Sequence, residues 1–186
     1  MSDTAPPPWE PPLAGTDVTQ ILGSLDRMRW TFRWKAGDLD EAGLNARVGA
    51  STLTLGGLLK HLAGAEDYLT TVKLHGGPMD EHWSDNRWDE DDDWEFSSAA
   101  SDSAETLYRR YDEAVARSRS RLDAAIAEHG LDLVIAAHDD QGRHANLRRL
   151  VCDMVEEYAR HTGHADLLRE SVDGRSGEDP PDDWRP

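Results

Sequence analysis

The chain has 186 residues, which is enough for one domain with a substantial core but cramped for two full domains. Its formal net charge of −17 repels nucleic-acid phosphates and anionic lipid headgroups, so we expect neither a nucleic-acid nor a membrane partner. One cysteine, Cys152, excludes an internal disulfide and a four-cysteine zinc site.

The N-terminal segment, residues 1–15, is rich in proline and predicts an extended arm, because proline cannot continue a helix. It has neither the basic start nor the apolar centre of a secretory signal. The chain also contains no apolar run near the roughly 20 residues that span a bilayer. We therefore expect a cytoplasmic protein.

The first helix is predicted from a cap at Thr16 or Asp17 to about Lys35. Its apolar residues recur at three- and four-residue steps, which is typical of an amphipathic helix: Val18, Ile21, Leu22, Leu25 and Met28. Trp30 and Trp34 lie four residues apart on this helix. That spacing favours packing in the core or on a homodimer face over a ligand cage.

The second helix is predicted to begin near Thr54, where leucines recur at helical spacing, and to end at residues 76–78. Gly56, Gly57 and Gly64 lie inside it, although each costs roughly 1 kcal/mol relative to alanine. Close packing or the approach of a ligand explains them better than helix propensity does.

Residues 78–98 predict a long surface loop between the second and third helices. An acidic run, residues 89–93, lies between Trp88 and Trp94 and raises the question of calcium. The run lacks the glycine and the terminal glutamate of a helix-loop-helix calcium site, so a solvated loop is favoured.

The third helix is predicted from residues 101–103, with Ser103 as a cap, to about His129. Residues 131–142 are ambiguous, and their alternating apolar pattern fits a short extended piece. The fourth helix is predicted from about Asn146 to Glu170. Its apolar face is also the predicted location of a buried Cys152.

Four long amphipathic helices predict an all-α fold, a four-helix bundle over residues 16–175 with a long loop between helices 2 and 3. A polar, proline-containing tail follows at residues 176–186 and is expected to wrap the surface or to be disordered.

A cluster of metal-binding side chains lies on the fourth helix. Glu157, His161 and His164 fall within about 60° of one another around a helix that turns about 100° per residue. Carboxylate and imidazole suit zinc, nickel, iron or manganese, and helical bundles often hold such sites in their cores. Spacing alone does not rank the three residues.

His61 lies among the leucines of the second helix and needs a polar partner there. A hydrogen bond to a neighbouring helix would suffice, but the cluster on the fourth helix favours a shared metal. The other histidines fit solvated surface positions: His75, His82, His129, His138 and His144.

Two segments carry a family resemblance. Residues 53–66, around His61, resemble the second helix of the DinB-like superfamily, and residues 156–170 resemble its last helix. The acidic loop at Asp93 and the stop at residues 173–174 are similar to an actinobacterial branch called mini-circle-type proteins. The resemblance covers residues 16–175.

The resemblance implies a four-helix bundle that holds a divalent metal with three side chains, and we expect zinc or nickel. His61 corresponds to the histidine of the second helix. Glu157 and His161 match the Glu-His pair of the mycothiol-dependent maleylpyruvate isomerase group. Other members use two histidines at that spacing, but Arg160 stands four residues before His164. His164 is therefore left as a fourth ligand, a supporting residue or a proton shuttle.

Superfamily members that use low-molecular-weight thiols imply a thiol-dependent S-transferase or isomerase, with mycothiol as co-substrate and a small-molecule electrophile. Two alternatives stay open from the residues. A metal-dependent hydrolase would use bound water as the nucleophile and need no thiol. A non-enzymatic stress-related or interaction protein would keep the bundle without needing the metal.

Overall fold

The computed structural model describes residues 6–186, and it contains the four long helices that the sequence predicts. The α-helices are α1 (Asp17–Ala36), α2 (Glu41–Leu44), α3 (Leu55–Asp67), α4 (Trp94–Ser98), α5 (Ala104–His129) and α6 (Leu147–Asp173). The four long ones are α1, α3, α5 and α6, and a π-helical turn, Tyr68–Lys73, continues α3. None of the helices within residues 6–186 is both long and apolar enough to cross a membrane.

Each long helix begins at a side-chain cap. Thr16, Thr54, Ser103 and Asn146 each accept a hydrogen bond from the backbone N–H three residues further on. Such caps satisfy one of the N–H groups that a helix start leaves unpaired. Thr16, and not Asp17, is therefore the cap of α1.

One hydrophobic core joins the helices, with α1 packed mainly on α6 and α3 mainly on α5. Close packing explains two of the helical glycines. A Cβ on Gly56 would lie 3.2 Å from Leu107, and a Cβ on Gly57 would lie 3.1 Å from Phe96. Both distances are shorter than ordinary van der Waals contact. Gly64 differs, because its nearest neighbour would be at an ordinary 3.4 Å.

A small antiparallel hairpin departs from the predicted all-α fold. Strand β1 (Val134–His138) pairs with β2 (His144–Asn146) in the segment that the sequence left ambiguous. Leu131 and Ile135 are buried while Val134 and Ala136 are exposed, as the alternating pattern requires. The hairpin therefore adds a two-stranded flap to the bundle.

The segment at residues 78–98 is more ordered than the predicted surface loop. It contains α4 and a 3₁₀ turn, Glu81–Trp83, and it buries Trp83 and Trp94 against the core. The two indoles lie 6.4 Å apart, and Trp88 packs on both. Burial of these aromatic rings fixes the segment to the core, while most of the acidic run at residues 89–93 stays exposed.

Both ends of the described chain pack on α1. Trp9 is buried and lies 5.5 Å from the Trp30 ring, and Trp184 of the tail lies 5.7 Å from it. The two ends of the described chain therefore contact the same indole of α1.

The predicted burial of Cys152 is wrong, because its thiol is exposed. The buried face of α6 runs through Val151, Met154 and Tyr158. Cys152 follows Val151 by one residue, and a step of about 100° around the helix turns it toward solvent.

Candidate metal centre

Three side chains from two helices converge at one point. His61 comes from the middle of α3, and Glu157 and His161 come from successive turns of α6. One ligand atom of each lies within 4.8 Å of the others, and no second group of this kind occurs within residues 6–186. The three residues that the sequence singled out are thus brought together.

Glu157 lies between the two imidazoles. Its Oε1 is 3.0 Å from Nε2 of His61 and 3.0 Å from Nε2 of His161. The two rings are 4.8 Å apart at 68°. Two nitrogen donors and one carboxylate oxygen therefore point into a common space.

His164 lies outside this group of three. Its Nδ1 is 3.3 Å from Nδ1 of His161, on the side of that ring opposite Glu157. One of these two nitrogens must donate and the other accept, which fixes the orientation of the His161 ring. Histidine ligands of metals are commonly held in this way through their second nitrogen.

Residues of the α4 region support His61. The Phe96 ring stacks on His61 with centroids 4.8 Å apart, and Glu95 Oε1 lies 3.9 Å from its Nδ1. That distance is an electrostatic contact and is longer than a hydrogen bond. Sequence reasoning missed both residues, because they follow an acidic run without helical or strand periodicity. The aromatic pair at Trp94 and Phe96 was the available signal.

The carboxylates set the protonation of the cluster. Burial alone would lower the pKa of His61, but Glu95 and Glu157 outweigh it and raise that pKa. Burial and the nearby His61 lower the pKa of His161. Burial would raise the pKa of Glu157, yet the two histidines hold it below its usual value. Glu157 is therefore an anion at neutral pH, and His161 is a neutral imidazole.

A cleft of about 470 Å³ opens beside the cluster. His61 and Glu157 line it, together with Tyr68, Lys73 and Trp88. A volume of this size matches the pockets that hold small molecules. The cluster is therefore reached from outside through a cleft that accommodates a substrate.

The donor set fits a divalent metal of the zinc or nickel type, which imidazole and carboxylate ligands suit. Three protein ligands leave a coordination position for another molecule, which is the pattern of catalytic sites. The partial exposure of Glu157, 31% of its side chain, agrees with a site that is open on one side.

Comparisons with known proteins show the family and the fold. A family model described as Mycothiol-S-transferase matches residues 20–174. The crystal structure of a conserved protein from Enterococcus faecalis is similar in fold, with a TM-score of 0.65 and 20% identity. That alignment covers 87% of this chain and 100% of the other, and it confirms the predicted helical fold. No curated protein matches the chain.

Proposed function

The chain belongs to the Mycothiol-S-transferase family, and we propose that it transfers a low-molecular-weight thiol, such as mycothiol, to a small electrophilic substrate. The observation that carries the proposal is the convergence of His61, Glu157 and His161 beside an open cleft. Family membership indicates the reaction class, and we infer that the reaction takes place at this cluster.

His61, Glu157 and His161 would hold a divalent metal. When bound, the metal would lower the pKa of a thiol in the open position and so favour its nucleophilic thiolate form. The depressed pKa of Glu157 supports this assignment, because a ligand carboxylate must be ionised. His161 is likewise suited to the role, since its lowered pKa keeps the ring neutral and available as a donor.

Supporting residues would hold the ligands in place. His164 orients His161 through the Nδ1 contact, while Phe96 and Glu95 restrict the ring of His61 from the other side. Ligands fixed in this way need little rearrangement to bind. We therefore assign His164 the supporting role among the three that the sequence left open.

Thiol-dependent turnover tests the proposal. Protein purified without added metal, and without a metal-affinity column, is given mycothiol and a panel of electrophiles. We expect conjugation that requires the thiol and falls by at least about 100-fold in His161→Ala. His82→Ala is the matched control, because this exposed histidine lies outside the cluster.

Two results would contradict the proposal. Turnover of the same compounds without any thiol would indicate a hydrolase instead. A metal-loaded protein that conjugates none of the panel would indicate that the bundle serves another purpose.

A further inference from the structure

A second cavity adjoins the cleft beside His61, Glu157 and His161, which we call the metal cluster. It is a groove of about 600 Å³ between the β1–β2 hairpin and the first half of α6. Lys73 and Asp153 line both the cleft and the groove. Lys73 therefore stands at the junction of the two cavities.

The π-helical turn places Lys73 on the cleft side of its helix. A π-helix closes hydrogen bonds between residues five apart, so Tyr68 and Lys73 lie one above the other. In an α-helix the same two residues would point about 140° apart. The observed contact agrees, because the Lys73 ammonium lies 5.7 Å from the centre of the Tyr68 ring.

The carboxylates that line the cleft have partners, whereas Lys73 has no carboxylate partner within the described chain. Each carboxylate that lines the cleft already has a cationic or imidazole partner: Glu157 with His61 and His161, Glu95 with His61, and Asp153 with Arg149 at 2.5 Å. Lys73, in contrast, has no carboxylate within 4.0 Å among residues 6–186. In a chain with 37 acidic and 20 basic residues, an unpaired lysine in a cavity wall leaves room for an anion from outside.

Two aromatic rings line the cleft, and one of them lies next to this lysine. Tyr68, beside Lys73, keeps 45% of its surface exposed, while Trp88 lines the cleft near Gly64. Flat apolar walls beside a single cation suit a planar ligand with a carboxylate at one end. His61 and Glu157 also line the cleft, and His61 precedes Lys73 by twelve residues along α3 and its π-helical continuation, so roughly 17 Å of helix separate their backbones.

We infer that the electrophilic substrate carries a carboxylate and that Lys73 binds it, with the reactive carbon toward the metal cluster. This inference rests on the proposed thiol transfer and names the substrate class for that site. Lys73 acts here by recognising charge, so its removal discriminates between anionic and neutral substrates.

A matched pair of electrophiles isolates the charge. In 4-(bromomethyl)benzoate and 4-(bromomethyl)benzamide, the thiol sulfur attacks the same benzylic carbon. A carbon–sulfur bond forms as the carbon–bromine bond breaks, bromide leaves with the electron pair, and the thiol proton passes to the buffer. The two probes differ only in the charge at the far end of the ring.

The kinetic readout is the ratio of kcat/KM for the benzoate over the benzamide, corrected for the uncatalysed reaction. We expect Lys73→Met to lower this ratio at least tenfold and Lys73→Arg to restore most of it. Arg87→Met is the control, since this exposed arginine lies in the same acidic segment as Trp88 but pairs with Glu90. A ratio within twofold of wild type in Lys73→Met would overturn the inference.

Binding supplies a readout that does not depend on turnover. Saturation-transfer NMR with the unreactive 4-methylbenzoate should show contact with the wild-type protein, and the signal should be lost in Lys73→Met. If the wild type conjugates no electrophile of the panel, the two bromomethyl probes included, the thiol-transfer proposal fails, yet this binding still tests Lys73. Equal binding of 4-methylbenzoate by wild type and Lys73→Met would overturn the inference even if thiol transfer is observed.

Discussion

Helices α3 and α6 carry two polar clusters side by side, and the clusters are built differently. Glu66, five residues after His61, has no exposed surface, and its carboxylate accepts hydrogen bonds of 2.7 Å from Arg29 and Tyr158. Glu157, next to Tyr158 in sequence, is partly exposed and shares one oxygen between two histidines.

The difference separates a structural role from a ligand-binding role. In the buried cluster a bidentate arginine and a tyrosine satisfy the carboxylate, so it has no room for another ligand. In the metal cluster the donors face one another and an open cleft. The first should matter for stability and the second for binding.

Removing a carboxylate from each cluster should give the largest contrast. Glu66→Ala removes the bidentate partner of the buried Arg29 guanidinium. Only the part-exposed Asp26 and the Ser118 hydroxyl then remain as its partners, so we expect a loss of about 3 kcal/mol in the free energy of unfolding. Glu157→Ala should change it by no more than about 1 kcal/mol in metal-free protein. Denaturant titration of both variants measures the free energy of unfolding. Equal losses in the two variants would contradict the distinction between the clusters.

Metal affinity, in contrast, should fall with substitutions beside His161 and stay unchanged with a substitution in the buried cluster. We expect Glu157→Gln to weaken metal binding by more than about 100-fold, and His164→Ala, which frees the His161 ring, by roughly 10–100-fold. Tyr158→Phe is the control, because it changes the neighbouring residue but only the buried cluster. Competition against a chromophoric chelator measures all three. Weaker metal binding in Tyr158→Phe would mean that the clusters are coupled.

The buried cluster should also make the folded state less stable at alkaline pH. The hydroxyl of buried Tyr111 lies 3.1 Å from that of Tyr158, so it belongs to this cluster. Burial raises the pKa of both tyrosines well above the ordinary value near 10, and both stay protonated in the folded state. The unfolded chain loses these protons above about pH 10, and stability then falls by up to about 1.4 kcal/mol per pH unit for each tyrosine. Stability curves from pH 8 to 11 should be shallower for Tyr111→Phe than for wild type, and parallel curves would argue against this origin.

The smallest effect is expected at Cys152, which belongs to neither cluster. Its thiol is exposed on α6, so Cys152→Ser should change the free energy of unfolding by less than about 0.5 kcal/mol. Thiol conjugation should proceed at the wild-type rate. A marked loss of conjugation would indicate that this cysteine, and not an added thiol, supplies the sulfur.

The sequence predicted the parts of the molecule that periodic patterns encode. The leucine spacing around His61 placed that residue on the inner face of α3, and the run from Glu157 to His161 placed two donors on one face of α6. A histidine among leucines on one helix and a donor cluster on another favoured a shared metal, and the family resemblance then selected Glu157 and His161 over His164, which spacing alone could not do.

Other features depend on packing between distant segments. No spacing in the sequence pairs Arg29 with Glu66, and only the packed bundle buries them together. The π turn that carries Lys73 contains no glycine or proline to mark it. The exposure of Cys152 follows from its angular position on α6, which outweighs the tendency of cysteine to be buried.

Elemental analysis of untagged protein, purified without added metal, shows directly whether the three side chains hold a metal. We expect about one divalent metal ion per chain in the wild type and almost none in His61→Ala. Tyr158→Phe should retain the wild-type content, because its hydroxyl serves only the buried cluster. Equal metal content in wild type and His61→Ala would contradict the assignment of His61, Glu157 and His161 as a metal site.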